Sequence, residues 1–399
     1  MADNNENKVL NVPHLRFPEF SGEWEMASLQ DIAAINPKSD QLQNTFIYID
    51  LEAVEKGELR KIQEIMREEA PSRAQRVINN NDILFQCVRP YQKNNYIHKI
   101  LNTSNQQWVA STGYAQIRTT ELPNYIYHLL NTDGFNRKVM VRCTGSSYPA
   151  INSEDLATIR FYYTPDKKEQ FKISRLLDLI DERIATQNKI IEKLQSLIKG
   201  LVDELMTVLL KGKLYPFSSF YIKAGEGGTP TTSVVEYYTE GTIPFIKIED
   251  LSCKYLTNNK DFITELGMQK SSAWLIPSKS VIYSNGATIG AISINEYPVC
   301  TKQGILGIVP NTNINVEYLY LLMSSSYFSK EISRIITEGT MKTAYLKDIN
   351  HIKCPLPSMA QQKNITNLTS SIEEKLSIEQ ELLRFLNLQK QYLLHMMFI

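Results

Sequence analysis

The sequence predicts an α+β protein of two tandem mixed α/β domains, each followed by a long helix, with the two helices pairing as a coiled coil. Three observations predict this: two heptad runs of apolar residues, a repeat of the whole layout after about 192 residues, and strand-like segments between the runs. An apolar period of about 3.5 residues is typical of a coiled-coil seam. Two matched seams in one chain favour pairing of the two helices with each other.

Each predicted domain opens with a strand and continues through a β-rich middle. The opening strand is predicted at 45–51 in the first domain and at 244–251 in the second. In the middle, 82–87 aligns with 280–285, among segments rich in Tyr, Ile, Thr and Val that are separated by Gly, Asn and Pro. That composition indicates strands joined by turns.

Each domain ends in a matched exit segment, 145–151 or 339–345, that leads through a strand to a proline. Asp166 and Ser358 follow these prolines and suit the N-cap of a helix. A shorter helix is predicted over 316–336. The predicted boundaries are 1–165 for the first domain, 166–212 for the first long helix, 213–357 for the second domain and 358–399 for the second long helix.

The apolar positions of both long helices alternate steps of four and three residues. Gln187 and Glu379 fall at the same position of the two runs, and a polar residue in a seam costs stability but fixes register. Thr369 and Lys390 make the second seam less apolar, so we expect partner helices to cover part of it. The predicted seam positions are Ile173, Leu177, Ile180, Ile184, Ile191, Leu194, Ile198, Leu201, Leu205 and Val208, then Ile365, Ile372, Leu376, Leu383, Leu386, Leu393 and Met397.

The orientation of the helix pair is open on connectivity alone, because a whole domain separates the two helices in sequence. An antiparallel pair would relate the two domains as the subunits of a dimer are related, which suits a DNA target with two half-sites. A scaffold whose two domains bind two copies of a protein partner is the alternative. A second alternative is that the repeat in the sequence is a gene duplication without functional meaning.

Composition and charge exclude several classes of protein. No apolar run is long enough to span a membrane, and no signal peptide opens the sequence. The five cysteines form no CxxC pair, so neither a disulfide framework nor a zinc site is expected. We therefore expect a cytoplasmic protein. The 43 basic and 43 acidic residues balance, so any DNA binding is expected to need partner subunits.

The motifs of common catalytic sites are absent from the sequence. Gly212-Lys213 is followed by leucine, so no phosphate-binding loop is present, and neither HExxH nor GxSxG occurs. Asn36-Pro37 is followed by lysine and lacks the motif of amino-methyltransferases. The prediction is a non-catalytic binding protein with no metal and no cofactor of its own.

Five segments resemble the specificity subunits of type I restriction–modification systems. They are 12–24, 29–38, Gly225-x-Gly-Gly-Thr-Pro, 284–290 and 395–399. The resemblance extends over the whole length and matches the order domain, helix, domain, helix. It implies that each domain is a target recognition domain for one half of a split DNA sequence. It also implies that the helices form an antiparallel coiled coil that sets the spacer.

The same resemblance implies partners and cofactors. The chain would bind double-stranded DNA, carry no catalysis, and recruit two methyltransferase subunits and two ATP-dependent restriction subunits. The complex would methylate adenine at N6. S-adenosylmethionine, ATP and Mg²⁺ are expected in those partner subunits and not in this chain.

Candidate DNA contacts follow from loop placement within the repeat-matched segments and from side-chain chemistry. Base edges are read by Arg, Lys, Asn, Gln, Ser and Thr, and phosphates are bound by Arg, Lys and backbone amides. For any single candidate, a structural role is an equal alternative. The candidates are Arg89, Tyr91, Lys93, Ser111, Thr112, Tyr114, Ser146, Ser147 and Tyr148 in the first domain, and Asn285, Thr288, Lys302, Gln303, Thr340, Lys342 and Thr343 in the second.

Two further features have competing interpretations. Gly145 and Gly339 open equivalent loops and allow either a close approach to a phosphate or a tight turn. A basic run between residues 60 and 76 has glutamates interleaved, and we interpret it as an exposed helix face instead of a DNA-binding stripe. Its members are Arg60, Lys61, Arg67, Arg73 and Arg76.

Overall fold

In the computed structural model the chain folds into two units, each with one mixed α/β domain and parts of the two long helices. The first unit comprises the chain up to Asn188 together with Glu381–Ile399, and the second comprises Lys189–Gln380. No helix in the described part of the chain is long and apolar enough to cross a membrane. The structure describes residues 11–99, 106–145, 147–286, 288–336 and 342–399.

The first domain is framed by two four-stranded sheets. Its strands are β1 (Glu25–Ser28), β2 (Ala33–Ile35), β3 (Thr45–Ile49), β4 (Val54–Glu55), β5 (Glu58–Leu59), β6 (Gln63–Met66), β7 (Ala74–Ile78), β8 (Ile83–Gln86), β9 (Tyr96–Ile97), β10 (Gln107–Ser111), β11 (Tyr114–Thr119) and β12 (Arg160–Tyr163). Its helices are α1 (Leu29–Ile32), α2 (Pro123–Leu130), α3 (Asp133–Arg142) and α4 (Ser153–Ala157), and the long helix α5 (Lys167–Leu209) follows.

The two sheets are joined by the turn between β10 and β11. One sheet has the order β6-β3-β10-β7, with β3 and β10 parallel and the other pairs antiparallel. The other sheet is antiparallel, with the order β2-β11-β8-β9. A separate antiparallel pair, β1 with β12, returns the chain to the start of α5.

The second domain repeats this plan. Its strands are β13 (Leu214–Pro216), β14 (Tyr221–Glu226), β15 (Ile243–Ile246), β16 (Tyr255–Leu256), β17 (Phe262–Ile263), β18 (Val281–Ser284), β19 (Ile292–Asn295), β20 (Cys300–Thr301), β21 (Ile305–Pro310) and β22 (Lys353–Pro355). Its helices are α6 (Glu265–Gln269), α7 (Val316–Ser324), α8 (Ser326–Ile335) and α9 (Leu346–Ile349), and the long helix α10 (Met359–Met396) follows.

Strand pairing confirms the internal repeat. β15 and β20 are parallel, as β3 and β10 are, and β18 pairs antiparallel with β21, as β8 does with β11. The pair β13–β22 repeats β1–β12. The aligned segments 82–87 and 280–285 therefore hold equivalent strands. The strand predicted at 244–251 is shorter, because a 3-10 turn occupies Ile248–Asp250.

The helix predicted over 316–336 is two helices, α7 and α8. Ser325 separates them in an extended conformation, with ψ of 154°, and its Oγ accepts a hydrogen bond from the Phe328 amide at 3.2 Å. A serine side chain that caps a new helix in this way ends the preceding one.

Glycines of the Gly225-x-Gly-Gly-Thr-Pro segment allow close packing. A Cβ atom on Gly227 would lie 2.0 Å from the Thr301 carbonyl oxygen, and one on Gly228 would lie 2.2 Å from the Ser272 Oγ. No side chain fits at these distances, so the segment can lie against β20 and against Ser272 only because both residues are glycine.

Both long helices begin at the predicted caps. The Asp166 Oδ1 accepts from the Lys168 amide at 2.8 Å. The Ser358 Oγ accepts from the Gln361 amide at 3.4 Å, and the Gln361 Oε1 accepts from the Ser358 amide at 3.0 Å. This reciprocal pair is a capping box, which satisfies amides that have no partner within the helix.

The seam predicted in α5 is correct over most of the helix. Ile173, Leu177, Ile180 and Ile191 are buried, and the polar Gln187 is only 5% exposed. These predicted positions therefore lie on one face of the helix, and that face packs into the protein interior. Half-buried positions of the same seam are Ile184, Leu194 and Ile198.

Near the C-terminal end of α5 the buried face moves by one residue. Val202 and Met206 are buried, whereas the predicted Leu201 and Leu205 are half-buried and Val208 is 62% exposed. The prediction is therefore wrong at Val208, whereas Leu201 and Leu205 are half-buried like several other positions of this seam. A strict repeat of about 3.5 residues drifts against the 3.6-residue turn of a straight helix, and two successive steps of four residues restore the contact.

The seam predicted in α10 is correct throughout its length. Its two less apolar positions are satisfied within the chain, because the Thr369 Oγ1 donates to the Thr366 carbonyl at 3.1 Å and the Lys390 Nζ pairs with Asp181 at 2.5 Å. The buried positions are Ile365, Thr369, Glu379, Leu386, Leu393 and Met397, and the half-buried ones are Ile372, Leu376, Leu383 and Lys390.

Within the first unit, α5 and α10 run in opposite directions. Asp181 of α5 pairs with Lys390, while Ile173, two turns earlier on α5, shares a core with Met397 beyond the end of α10. In the second unit the C-terminal end of α5 shares a core with Ile365, near the start of α10. The pair is therefore an antiparallel coiled coil.

The N-terminal segment fastens the start of α5 to the end of α10. The Leu15 amide donates to the Met396 carbonyl at 2.8 Å, and the Arg16 Nε lies 2.7 Å from the Glu169 Oε1. Trp24 is 3% exposed and packs its ring edge-on against the phenylalanine that follows α10. Trp24 therefore packs the N-terminal segment against the residues that follow α10.

The buried His98 makes the free energy of unfolding of this protein depend on pH. Its ring is 4.9 Å from the Trp108 ring, and within the described residues neither ring nitrogen has a hydrogen-bond partner. Burial lowers the pKa of His98 to about 4. The unfolded chain, with a histidine pKa of about 6.5, takes up the proton first, so this contribution to stability is complete above pH 6.5 and is lost as the pH falls toward 4.

The variant His98→Phe is expected to lose this dependence. The difference in unfolding free energy between the variant and the wild type should shift by about 3 kcal/mol in favour of the variant between pH 7 and pH 4. Urea unfolding at several pH values measures it. The exposed His14 provides the control His14→Phe, which should follow the wild type. Parallel pH profiles for all three proteins would contradict the prediction.

Candidate nucleic-acid interface

Three segments meet at one end of the first domain: the β10–β11 turn at 111–113, the residues after β8, and the exit segment at 144–151. The Cys87 amide donates to the Gly113 carbonyl at 3.0 Å, and the Cys87 carbonyl accepts from the Ile151 amide at 3.0 Å. The Arg89 amide donates to the Pro149 carbonyl at 2.7 Å. Backbone hydrogen bonds therefore fix the three segments against one another.

Equivalent segments meet in the second domain. The Asn285 amide donates to the Gly304 carbonyl at 3.0 Å, and the Asn285 carbonyl accepts from the Ala344 amide at 2.9 Å. A Cβ atom on Gly286 would lie 3.3 Å from the Gly304 Cα, so the strand end and the β20–β21 turn touch. Segments that the sequence aligned across the repeat thus come together in both domains.

Arg89 and Tyr148 form a cationic and aromatic surface in the first domain. The Arg89 guanidinium lies 4.5 Å from the centroid of the Tyr148 ring, and Tyr148 is 63% exposed. Tyr91, two residues beyond Arg89, is 51% exposed. Guanidinium and aromatic faces of this kind bind phosphates and stack on bases.

Gly145 forms a tight turn in the exit segment. Its φ is +89°, and a Cβ atom there would lie 2.9 Å from the Tyr148 carbonyl oxygen. The conformation is the left-handed one that favours glycine. Of the two interpretations from the sequence, this geometry supports the turn. Gly339 lies outside the described residues.

Lys93 is occupied by contacts within the domain. Its Nζ donates to the Asp133 Oδ1 at 2.6 Å and to the Asn131 carbonyl at 3.0 Å. The hydrogen bond from Lys93 lowers the pKa of Asp133, which favours the ionised carboxylate. Lys93 therefore holds the loop after β8 against the start of α3, and its charge is already neutralised.

Three predicted contacts are corrected by their burial. Ser111 and Asn285 are 3% and 1% exposed, and Tyr114 is fully buried. The Tyr114 hydroxyl donates to the Asp50 carbonyl at 3.2 Å, and the Asn285 Nδ2 donates to the Ala344 carbonyl at 3.1 Å. Ser111 and Tyr114 end and begin strands instead of lying in a loop. All three stabilise the junction and offer no surface to DNA.

The remaining predicted contacts are accessible at the junctions or lie outside the described residues. Lys302 and Gln303 form the exposed β20–β21 turn, and their counterpart Thr112 is half-buried. Ser147, Thr288 and Lys342 are exposed, and Thr343 is half-buried. Whether any of them contacts DNA stays a prediction. Ser146 and Thr340 lie outside the described residues.

Sequence reasoning missed two residues at this end of the first domain, Arg73 and Arg76. The Arg73 carbonyl accepts from the Thr112 amide at 2.9 Å, and Arg76 pairs with Ala110 across β7 and β10. The interpretation of residues 60–76 as a helix face is wrong, because this segment holds β6, β7 and a 3-10 turn. Ala-Gln-Arg-Val-Ile followed by Asn-Asn is a strand signal that could have placed them.

The described residues include buried thiols but no cluster of candidate metal ligands. No group of three or more His, Cys, Asp or Glu in the part of the chain that the structure describes could hold a metal ion. Burial raises the pKa of Cys87 and of Cys354 to about 12, so both thiols are neutral at physiological pH. Neutral thiols of this kind are poor nucleophiles.

Comparison with known proteins identifies the family. The family model described as type I restriction modification DNA specificity domain matches the chain twice, over residues 21–196 and 220–387. The chain belongs to this family. It is a type I restriction–modification specificity subunit with two recognition domains, and the resemblance seen in the sequence is confirmed.

Individual specificity subunits are similar over different shares of the chain. The EcoR124I/EcoR124II specificity subunit of Escherichia coli is 30% identical over 179 residues, which is 42% of this chain and 43% of that protein. The MjaIX specificity subunit of Methanocaldococcus jannaschii is 30% identical, and the match spans 35% of its length. The MjaVIII subunit of the same organism is 22% identical over 94% of this chain and 91% of its own length.

Solved specificity subunits share the fold. The crystal structure of the type I restriction–modification S subunit from M. genitalium has a TM-score of 0.56 and 16% identity, and covers 97% of this chain and 99% of that one. A chain from a structural study of the assembly and conformational transition of a type I R-M system has a TM-score of 0.55 and 19% identity, with 93% and 96% covered.

Proposed function

We propose that this specificity subunit selects a bipartite DNA target for adenine-N6 methylation and for restriction. Each recognition domain reads one half-site, and the antiparallel helices set the distance between the half-sites. The subunit itself performs no chemistry. Two methyltransferase subunits and two restriction subunits bind to it and carry S-adenosylmethionine, ATP and Mg²⁺.

The observation that carries the proposal is the repeated junction of turn, strand end and exit segment. A repeated scaffold with different side chains suits two half-sites of different sequence. At equivalent places of the two turns, the first domain has Thr112 and the second has Gln303. Glutamine reads adenine with two hydrogen bonds, which threonine cannot do. The target is therefore expected to be asymmetric.

Recruitment of the methyltransferase is supported by an exposed apolar face of α10 within the first unit. The face consists of Leu382, Phe385, Leu388 and Tyr392, which are 36%, 52%, 48% and 57% exposed. Neighbouring residues of α10 face the seam, whereas this second face is exposed among the described residues of its unit. Contiguous exposed apolar side chains of this kind mark protein interaction sites, and we assign this one to a methyltransferase subunit.

The double variant Phe385→Asp with Tyr392→Asp tests this assignment. Two charges in the centre of an apolar interface are expected to weaken binding of the methyltransferase subunit at least a hundredfold, because each charge must be desolvated. Isothermal calorimetry with the purified methyltransferase measures the affinity. The control is Val141→Asp, at a residue that is 87% exposed on α3. Equal affinities for both variants would contradict the assignment.

The function itself is tested by mapping N6-methyladenine at base resolution in cells that express this chain with its neighbouring methyltransferase. We expect a two-part asymmetric motif that disappears when the chain is deleted. Replacing the first domain alone should change one half of the motif and leave the other half intact. An active methyltransferase that leaves no such motif would instead support a protein-binding scaffold.

A further inference from the structure

Arg76 lies beside the junction in the first domain. It is the central residue of β7, the edge strand that pairs antiparallel with β10, and its register partner is Ala110. Side chains alternate along a strand, so Arg76 shares a face with Ile78, which packs in the core with Tyr114 at the start of β11. The β10–β11 turn begins one residue after Ala110.

The Arg76 guanidinium is half-buried without a compensating charge. Among the described residues its buried Nε has no hydrogen-bond partner, and no carboxylate pairs with it. Burial lowers the pKa of Arg76, and the nearby Cys87 thiol is neutral. A half-buried guanidinium that lacks an anion is destabilising, so its presence calls for a partner from outside the chain.

Two other partly buried arginines of the first unit, Arg16 and Arg118, have carboxylate partners, and Arg89 has its guanidinium on the Tyr148 ring. Arg16 binds the buried Glu169 at 2.7 Å. Arg118 donates from Nε and Nη2 to both oxygens of Asp82, each at 2.8 Å. The fork of a guanidinium matches a carboxylate or a phosphate in this way. Arg76 has the same donors and lacks the anion.

We propose that Arg76 binds a backbone phosphate of the DNA held by the first recognition domain; the inference rests on the function proposed above. A phosphate supplies both the negative charge and the two acceptor oxygens that this guanidinium lacks. A base edge supplies acceptors but no charge, and would leave the half-buried cation uncompensated. The rigid strand position also suits a contact that positions the duplex instead of reading its sequence.

At the position equivalent to Arg76 the second domain has an aromatic residue in place of the arginine. Ile78 pairs with Trp108, and Ile276 bridges to Val299, in the equivalent strands. The residue two places before Ile276 is Trp274, which therefore takes the position of Arg76. Its ring is covered by the Lys223 Nζ at 4.1 Å. We therefore propose the contact by an arginine on this strand for the first domain alone.

The test measures DNA affinity of the complex with the neighbouring methyltransferase, at several salt concentrations, for the methylated target motif and for a scrambled duplex. Arg76→Gln is expected to lower both affinities about tenfold. The slope of log affinity against log salt should fall in magnitude by about 0.9, the value for one phosphate. Arg76→Lys should keep the slope, because it keeps the charge.

The matched control is Arg67→Gln, which removes a charge from an exposed residue at the opposite edge of the same sheet. Equal losses for both glutamine variants would overturn the inference, since net charge would explain them. Unchanged binding by Arg76→Gln, a changed base preference, or weakened methyltransferase association would also overturn it. Failure of the wild-type complex to bind any duplex would contradict the proposed function instead.

Discussion

Leu177→Asp is expected to unfold the first unit. Leu177 is fully buried in α5, in a core that also holds residues from the end of α10 and from α2. The substitution removes a leucine side chain and buries a carboxylate without a partner, at a cost of about 5 kcal/mol or more. Typical domains have about 5 to 15 kcal/mol of stability. Thermal and urea unfolding, followed by circular dichroism, should show the loss of one transition.

The control for this prediction is Leu179→Asp, two residues away on the same helix. Leu179 is 45% exposed, so a carboxylate there stays hydrated and the unfolding free energy should change by less than about 1 kcal/mol. If the two variants lost a similar free energy of unfolding, burial at the seam would not explain the effect of Leu177→Asp. That result would contradict the pairing of α5 with α10 through the buried seam.

Lengthening both long helices is expected to lengthen the spacer of the DNA target. The boundary between the units falls after Asn188 in α5 and after Gln380 in α10. One heptad inserted at each point keeps the seam in register and leaves each unit intact. It adds about 10 Å at 1.5 Å per residue, which corresponds to roughly three base pairs. Both half-sites should be retained, and methylation should move to targets with the longer spacer.

Base-resolution mapping of N6-methyladenine in cells reads this result directly. The control replaces seven existing residues at each point with the same heptad, so that sequence changes while length does not, and the original spacer should remain. Methylation by the lengthened protein at the original spacer would show that the helices do not set the distance. The proposal that the domains read the half-sites while the helices set the spacer would then be wrong.

Periodicity predicted the helices and most of their seam because side-chain burial along a coiled coil follows directly from spacing. It failed at Val208, because near this end of α5 the interior face is set by the domain packed against the helix and includes Val202 and Met206. A local repeat contains no information about that domain. The caps at Asp166 and Ser358 were predictable, since their partners lie within three residues in sequence.

The junction of three segments was predicted only in outline. The repeat located the right segments, but their contacts join residues as distant as Asn285 and Ala344. Which candidate side chains are exposed at the junction depends on where each strand begins and ends. Tyr114 is buried because β11 begins there, and loop chemistry alone could not separate it from the exposed Tyr148. Arg76 was missed because interleaved charges were interpreted with a helical period where the chain is extended.

Fastening the N-terminal segment to the end of α10 has a consequence for how such a chain can be rearranged. Leu15 and Met396 are hydrogen-bonded neighbours, so a few added residues could join the two ends of the described chain without strain. New ends opened in the turn after α5, near Gly212, would cut no strand and no helix. The N-terminal segment therefore acts as a clasp of the first unit, which holds the start of α5 and the end of α10 together although they are far apart in sequence.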